Sequence, residues 1–170
     1  MITFIIGGAR SGKSRFALEK ASVHSGKKAY IATAQALDNE MSERIEKHKK
    51  ERSAEWVTIE EPLNIAALIK NIHAQYDVIL IDCLTLWLSN LILADKDIET
   101  EIEVFCSSLS AVQCPLFAVS NEVGMGIVPD NELSRRFRDT AGYLNQKVAG
   151  IANEVYSVTA GIPLKIKQEA

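Results

Sequence analysis

The chain alternates between short apolar, β-branched runs and longer stretches with helical spacing. Ile2-Thr3-Phe4-Ile5-Ile6 comes first and a helical stretch from Arg15 to Val23 follows. Gly26 then introduces Lys28-Ala29-Tyr30-Ile31-Ala32-Thr33 as a second strand. Residues Asp38 to about Arg52 read as a helix with Asp38 or Asn39 as its N-cap. Trp56-Val57-Thr58-Ile59-Glu60 alternates as a strand. Pro62 is expected to open a helix with Leu63, Ala66, Ala67, Ile69 and Ile72 on its apolar face. Asp77-Val78-Ile79-Leu80-Ile81-Asp82 and Leu116-Phe117-Ala118-Val119-Ser120 are almost continuously apolar, as parallel strands buried on both faces must be. Leu84 to Leu93, Ile98 to about Val112 and Asn131 to about Asn153 have helical patterns. Val155 to Thr159 and Leu164 to Lys167 flank Gly161-Ile162-Pro163 and predict a closing antiparallel hairpin. With no internal repeat or Ser/Gly-rich linker, this order predicts one domain over residues 1–170, an α/β sandwich on a mostly parallel sheet. Ligands of such sheets sit outside the carboxyl ends of the strands.

The first strand and helix are joined by Gly7-Gly8-Ala9-Arg10-Ser11-Gly12-Lys13-Ser14, which matches the phosphate-binding pattern G-x-x-x-x-G-K-[ST] in the strand–turn–helix context that the chemistry requires. Glycines let successive backbone N–H groups converge on phosphate oxygens, the helix N-terminus adds partial positive charge, and Lys13 reaches the β/γ-phosphates. Ser14 is placed to ligate the Mg²⁺ that accompanies a nucleotide. The expected fold class is therefore a P-loop NTPase, RecA-like, a three-layer sandwich with a mostly parallel sheet and a C-terminal antiparallel hairpin.

Composition narrows the class. A net charge of −3 over 170 residues gives no field that would gather nucleic acid or an anionic membrane. No apolar run approaches the ~20 residues of a membrane span, and the first residues lack a basic segment ahead of an apolar one, so no secretion signal is read. Cys83, Cys106 and Cys114 are odd in number and lack C-x-x-C spacing, which fits thiols in a reducing cytoplasm.

Four groups are candidates for chemistry. Asp82 ends the most apolar strand, where an acidic residue either holds Mg²⁺ or caps the next helix. Ser120-Asn121-Glu122-Val123-Gly124-Met125-Gly126 follows a core strand and reads equally as a substrate-orienting segment or a plain connection. Arg135 and Arg138 share a helix face, with Arg136 pointing away, toward phosphates, a neighbouring subunit or water. The helix from Asp38 to Arg52 has few apolar residues, chiefly Met41 and Ile45, and carries His48 among Lys47, Lys49, Lys50 and Arg52. It is either an exposed basic helix with an incidental histidine or the bearer of a nucleophile, because neutral imidazole attacks phosphorus and nearby cations offset the charge that is transferred.

Together these pieces resemble one family. Gly7 to Arg15, Tyr30-Ile31-Ala32-Thr33-Ala34, Asp38-Asn39-Glu40-Met41, Arg44-Ile45 with His48-Lys49, Asn121 to Pro129, and Phe137 to Gly142 with Asn145-Gln146 are similar to the bifunctional adenosylcobinamide kinase/adenosylcobinamide-phosphate guanylyltransferases of cobalamin biosynthesis. The resemblance runs from Ile2 to Lys167. It implies phosphorylation of adenosylcobinamide with ATP or GTP, then transfer of GMP from GTP onto that phosphate through a guanylylated histidine, which His48 matches. It also implies nucleotide contacts at Gly7, Gly8, Ala9, Arg10, Ser11, Gly12, Lys13 and Ser14, at Ala32, Thr33 and Ala34, at Lys49, Lys50, Glu51 and Arg52, and at Glu60 and Asp82. A homotrimer, a corrinoid substrate and Mg²⁺ at Ser14 and Asp82 complete the expectation. Lys47 departs from the pattern, standing where some members have a second histidine. A kinase of another small metabolite would need Lys13, Ser14 and Asp82 but give His48 no task. A regulatory GTPase is disfavoured, since Asn121-Glu122 replaces Asn-Lys-x-Asp and Asp82-Cys83-Leu84-Thr85 is no Asp-x-x-Gly.

Overall fold

The computed structural model describes residues 1–36, 42–43 and 53–168. Within them lie strands β1 (Ile2–Gly7), β2 (Lys28–Ala32), β3 (Trp56–Glu60), β4 (Val78–Asp82), β5 (Leu116–Asn121), β6 (Glu154–Thr159) and β7 (Ile162–Gln168). The helices are α1 (Lys13–Ser22), α2 (Ile65–Ile72), α3 (Leu84–Leu93), α4 (Ile98–Ser110) and α5 (Glu132–Ile151). The strands form one sheet in the order β3-β2-β4-β5-β1-β6-β7, parallel except for the antiparallel β6–β7 hairpin. The expected mostly parallel sandwich with a closing hairpin is the fold observed.

The apolar runs of the central strands divide between the two faces. Ile79 and Ile81 of β4, with Leu116 and Ala118 of β5, join Phe4, Trp87 and Phe105 in one core. Val78, Leu80, Phe117 and Val119 join Ile5, Ala17 and Ala21 in the other. Side chains alternate across a strand, so a strand covered on both sides has to be apolar at every position. One layer contains α1, whose small Ala17 and Ala21, four residues apart, let it lie close to the sheet. Helices α2 to α5 cover the opposite face, centred on fully buried Trp87, whose indole N–H donates to the Leu63 carbonyl at 2.8 Å.

Two helix starts carry side-chain caps. The Asp97 carboxylate accepts from the Thr100 N–H at the start of α4, and Asn131 Oδ1 accepts from the Ser134 N–H at the start of α5. At α2 the expectation needs correction. Pro62 lies in the turn before the helix, where Glu61 Oε1 accepts from the Leu63 and Asn64 N–H groups at 3.0 and 2.7 Å. The helix therefore begins at Ile65, which is buried, while Ala67 faces outward. In the expected helix from Asp38 to Arg52, Ser42 and Glu43 are helical; its other residues, His48 and Lys49 to Arg52 among them, lie outside the described residues. Among the described residues no helix is long and apolar enough to cross a membrane.

Candidate nucleotide site

Strand register gathers the site. Gly7 pairs with Asn121 on one side and Val158 on the other, Ala32 pairs with both Asp82 and Glu60, and Asp82 pairs with Val119. The sequence candidates from the loop, β2, β3 and β4 therefore share the carboxyl edge of the sheet.

The loop from Gly7 to Ser14 is built around backbone that side chains would obstruct. A Cβ on Gly7 would collide with the Val158 carbonyl and lie 2.6 Å from Ser11 Oγ. Gly12 has φ +92°, and a Cβ there would lie 3.2 Å from Gly161 Cα. The hairpin turn thus supports the loop directly, and the Gly161 N–H donates to the Ser11 carbonyl at 2.8 Å. Positive φ at both Ala160 and Gly161 makes that turn type I′, the form whose twist suits a two-residue hairpin.

Lys13 begins α1. Its stem is buried and its Nζ donates to the Gly8 carbonyl at 3.0 Å across the loop. No acidic residue occupies the first turn of α1, so its positive end is not neutralised locally. Ser11 Oγ is buried with no hydrogen-bond partner among the described residues. Gly8, Ala9 and Arg10 form the exposed tip, with Arg10 at φ 55°, and Ser14 is half-buried one residue into the helix. Amide dipoles, an ammonium and an orphaned hydroxyl around a crowded turn suit phosphate oxygens.

Asp82 is half-buried, and its Oδ2 accepts from Tyr30 Oη at 2.7 Å. Cys83, not Asp82, occupies the N-cap of α3, which favours the site reading of Asp82 over the capping one. Burial pushes the Cys83 thiol up to about 11; the Asp82 charge adds to this and Lys13 opposes it. Both charges therefore act on one buried thiol.

Thr33 braces the turn that follows β4 with its side chain. It is wholly buried, its hydroxyl donates to the Cys83 carbonyl at 2.7 Å, and the same oxygen accepts from the Cys83 N–H at 2.8 Å. Its own N–H donates to the Asp82 carbonyl at 3.3 Å, and its carbonyl accepts from Asn90 Nδ2 at 2.8 Å. Thr33 positions the turn that carries Asp82. Ala32 is buried, Ala34 half-buried and Glu60 exposed at the end of β3.

On the other side of the loop, the Glu122 N–H donates to the Gly7 carbonyl at 3.1 Å. Arg135 is turned inward, its Nη1 donating to the Pro129 and Asp130 carbonyls at 3.0 and 2.6 Å, so it fastens the segment after β5. Arg138 pairs with Asp139. Sequence reading passed over Asn90, gave Thr85 no task and met Asn145 only as part of the family pattern; all three are buried polar residues on otherwise ordinary helix faces. Their signal was a polar residue amid apolar neighbours, as at Asn90 in Leu84-Thr85-Leu86-Trp87-Leu88-Ser89-Asn90-Leu91.

A family model described as cobinamide kinase / cobinamide phosphate guanyltransferase matches residues 3–166. The chain belongs to this family. Relatives agree along the full length. The bifunctional adenosylcobalamin biosynthesis protein CobP of Pseudomonas aeruginosa is 45% identical over 172 residues, covering 99% of each chain. The CobU proteins of Salmonella typhimurium and Escherichia coli are 41% and 43% identical, each over 98% of this chain and 100% of its own. The fold of this cobinamide kinase / guanyltransferase family member is shared more widely. The flagellar accessory protein FlaH of Methanocaldococcus jannaschii superposes with a TM-score of 0.53 at 12% identity, over 99% of this chain and 78% of its own. A KaiC-like protein of Pyrococcus horikoshii gives 0.50 at 14% identity, over 92% and 69%.

Proposed function

We infer that this chain carries both of its family's activities on one nucleotide-binding scaffold. It phosphorylates the aminopropanol hydroxyl of adenosylcobinamide with ATP or GTP, then transfers GMP from GTP onto that phosphate, releasing pyrophosphate and leaving adenosylcobinamide-GDP. The observation that carries the reading is family membership over residues 3–166, in a chain whose phosphate loop is intact.

In the first step the loop N–H groups and Lys13 hold the β- and γ-phosphates. The substrate oxygen forms its bond to the γ-phosphorus as the bond to the β-bridging oxygen breaks, and the hydroxyl proton leaves to solvent. The contribution of the chain is position and charge rather than a covalent partner. Ser14 and Asp82 supply hard oxygen donors, and the described residues contain no cluster of three or more His, Cys, Asp or Glu. That donor set fits Mg²⁺, which shares its ligands with phosphates and water and, when bound, screens the β- and γ-oxygens.

In the second step His48 attacks the α-phosphorus of GTP, the bond to the bridging oxygen breaks and pyrophosphate leaves. A phosphate oxygen of the substrate then displaces the imidazole from the GMP phosphorus. Two displacements replace one difficult one. Lys49, Lys50 and Arg52 supply positive charge, and Glu51 and Glu60 further nucleotide contacts. A homotrimer is the assembly this reading carries with it.

The test is incubation with GTP labelled at the α-phosphate. Wild-type protein should acquire an acid-labile, base-stable label, the signature of a phosphoramidate. His48→Ala should acquire none and lose guanylyl transfer, while retaining much of the kinase activity. Persistent labelling of a folded His48→Ala protein would place the nucleophile elsewhere.

A further inference from the structure

The carboxyl end of β5 holds polar atoms that the phosphate loop does not use. Asn145, on α5, is only 8% exposed, and its Nδ2 donates to the Asn121 carbonyl at 3.1 Å. Its Oδ1 is buried without a hydrogen-bond partner among the described residues, and so is Asn121 Oδ1. The backbone between them is fixed: the Asn121 N–H donates to Thr85 Oγ1 at 2.6 Å, and that hydroxyl lies 3.1 Å from Ser120 Oγ. Buried acceptors are nearly always satisfied, so two orphaned amide oxygens at one strand end point to a donor outside the described residues. Acceptor oxygens repel phosphates. The ligand that meets them therefore carries N–H or O–H groups, and is not the triphosphate of the neighbouring loop.

The segment that leaves β5 here adds a second feature. It is tied down at its start by the Glu122 N–H to Gly7, and at its end by Arg135 on the Pro129 and Asp130 carbonyls. Between these ties it displays Met125, Ile127 and Val128 at 91%, 97% and 63% exposure. Apolar side chains held out by an anchored loop beside a ligand site are contact surface in waiting. Asn121 pairs in register with Gly7, so the strand end from which this segment leaves lies one strand spacing, roughly 5 Å, from the start of the phosphate loop.

We propose that Asn121, Asn145 and the exposed residues of this loop form the acceptor subsite, which takes the corrinoid. The inference rests on the cobinamide kinase reading. The amide oxygens accept from the donor-bearing side arm, and Met125, Ile127 and Val128 lie against an apolar face of the macrocycle. A guanine base also carries donors. Proximity to Gly7, at the phosphate end of a bound nucleotide, favours the group that receives the phosphoryl.

The experiment measures cobinamide binding by equilibrium dialysis, read from the corrin absorbance, in the presence of a non-hydrolysable ATP analogue. Titration calorimetry measures the affinity for the analogue and for GTP. Met125→Ser/Ile127→Ser and Asn145→Ala should each weaken cobinamide binding at least tenfold and leave both nucleotide affinities within twofold. Because the double variant changes only exposed positions, it decides alone if Asn145→Ala does not fold. Cobinamide affinity within twofold of wild type in the double variant overturns the subsite, as does a selective loss of GTP affinity in Asn145→Ala, which would mark a base site. Wild-type protein that binds no cobinamide overturns the functional reading beneath it.

Discussion

Replacing Thr33 with valine keeps the shape of a wholly buried side chain and removes one oxygen. That oxygen serves both backbone groups of Cys83, donating to the carbonyl at 2.7 Å and accepting from the N–H at 2.8 Å. Cys83 is itself buried, so neither group finds water when the hydroxyl is gone. The Cys83 carbonyl keeps the Trp87 N–H at 3.2 Å, so the Cys83 N–H is the group left unsatisfied, at about 1–3 kcal/mol. In a chain of this size that lowers the melting temperature by roughly 2–12 °C. Thr33→Ser retains the hydroxyl and gives up a methyl group, at about 1 kcal/mol. The serine variant should therefore be the more stable of the two, although valine fills the space better. Urea unfolding of both variants reads the order directly. The kinase assay reads the consequence for Asp82, whose carbonyl accepts the Thr33 N–H. A valine variant as stable as the serine variant would refute the bracing role, since only packing would then be at stake.

Two further outcomes follow from the same corner of the molecule. Lys13→Ala removes the cation facing the phosphates and should lower both transfer activities by at least 10², about 3 kcal/mol of transition-state stabilisation; near-normal rates in either assay would defeat the loop assignment. Cys83, held up to about 11 by burial, stays protonated in the folded chain while the unfolded thiol ionises near 9. The unfolded state thus binds fewer protons between these values, and stability falls as pH rises from about 9 to 11, by on the order of 2–3 kcal/mol. Urea midpoints across that window should show a shallower fall in Cys83→Ala, and equal slopes would contradict the assigned shift.

The fold was legible because its central strands have little freedom. Ile79, Leu80 and Ile81 must be apolar to lie between two layers, and a Gly-rich turn ending in Lys13-Ser14 after such a strand has few structural homes. The start of α2 was misread because Pro62 is an acceptable first helical residue, yet the carboxylate of Glu61 captured the turn instead. Thr33 was legible as part of a site segment, but its tie to Cys83 crosses fifty residues and leaves no local trace. Asn145 is harder still. One amide on an amphipathic helix looks like surface until the packing of α5 beside β5 buries it.

The place of β1 has a consequence for the order in which the molecule comes into being. It lies between β5 and β6, and the loop it feeds leans on the turn at Ala160 and Gly161. A ribosome delivers the phosphate loop first and its supports last. Until residues from Leu116 onward have emerged, β1 has no neighbouring strand to pair with, and until the final hairpin forms the turn at Gly12 lacks its backing. Long-range pairings of this kind close late in folding. Nucleotide capture is therefore a property of the finished chain, and a nascent N-terminal half carrying every residue of the motif remains without it.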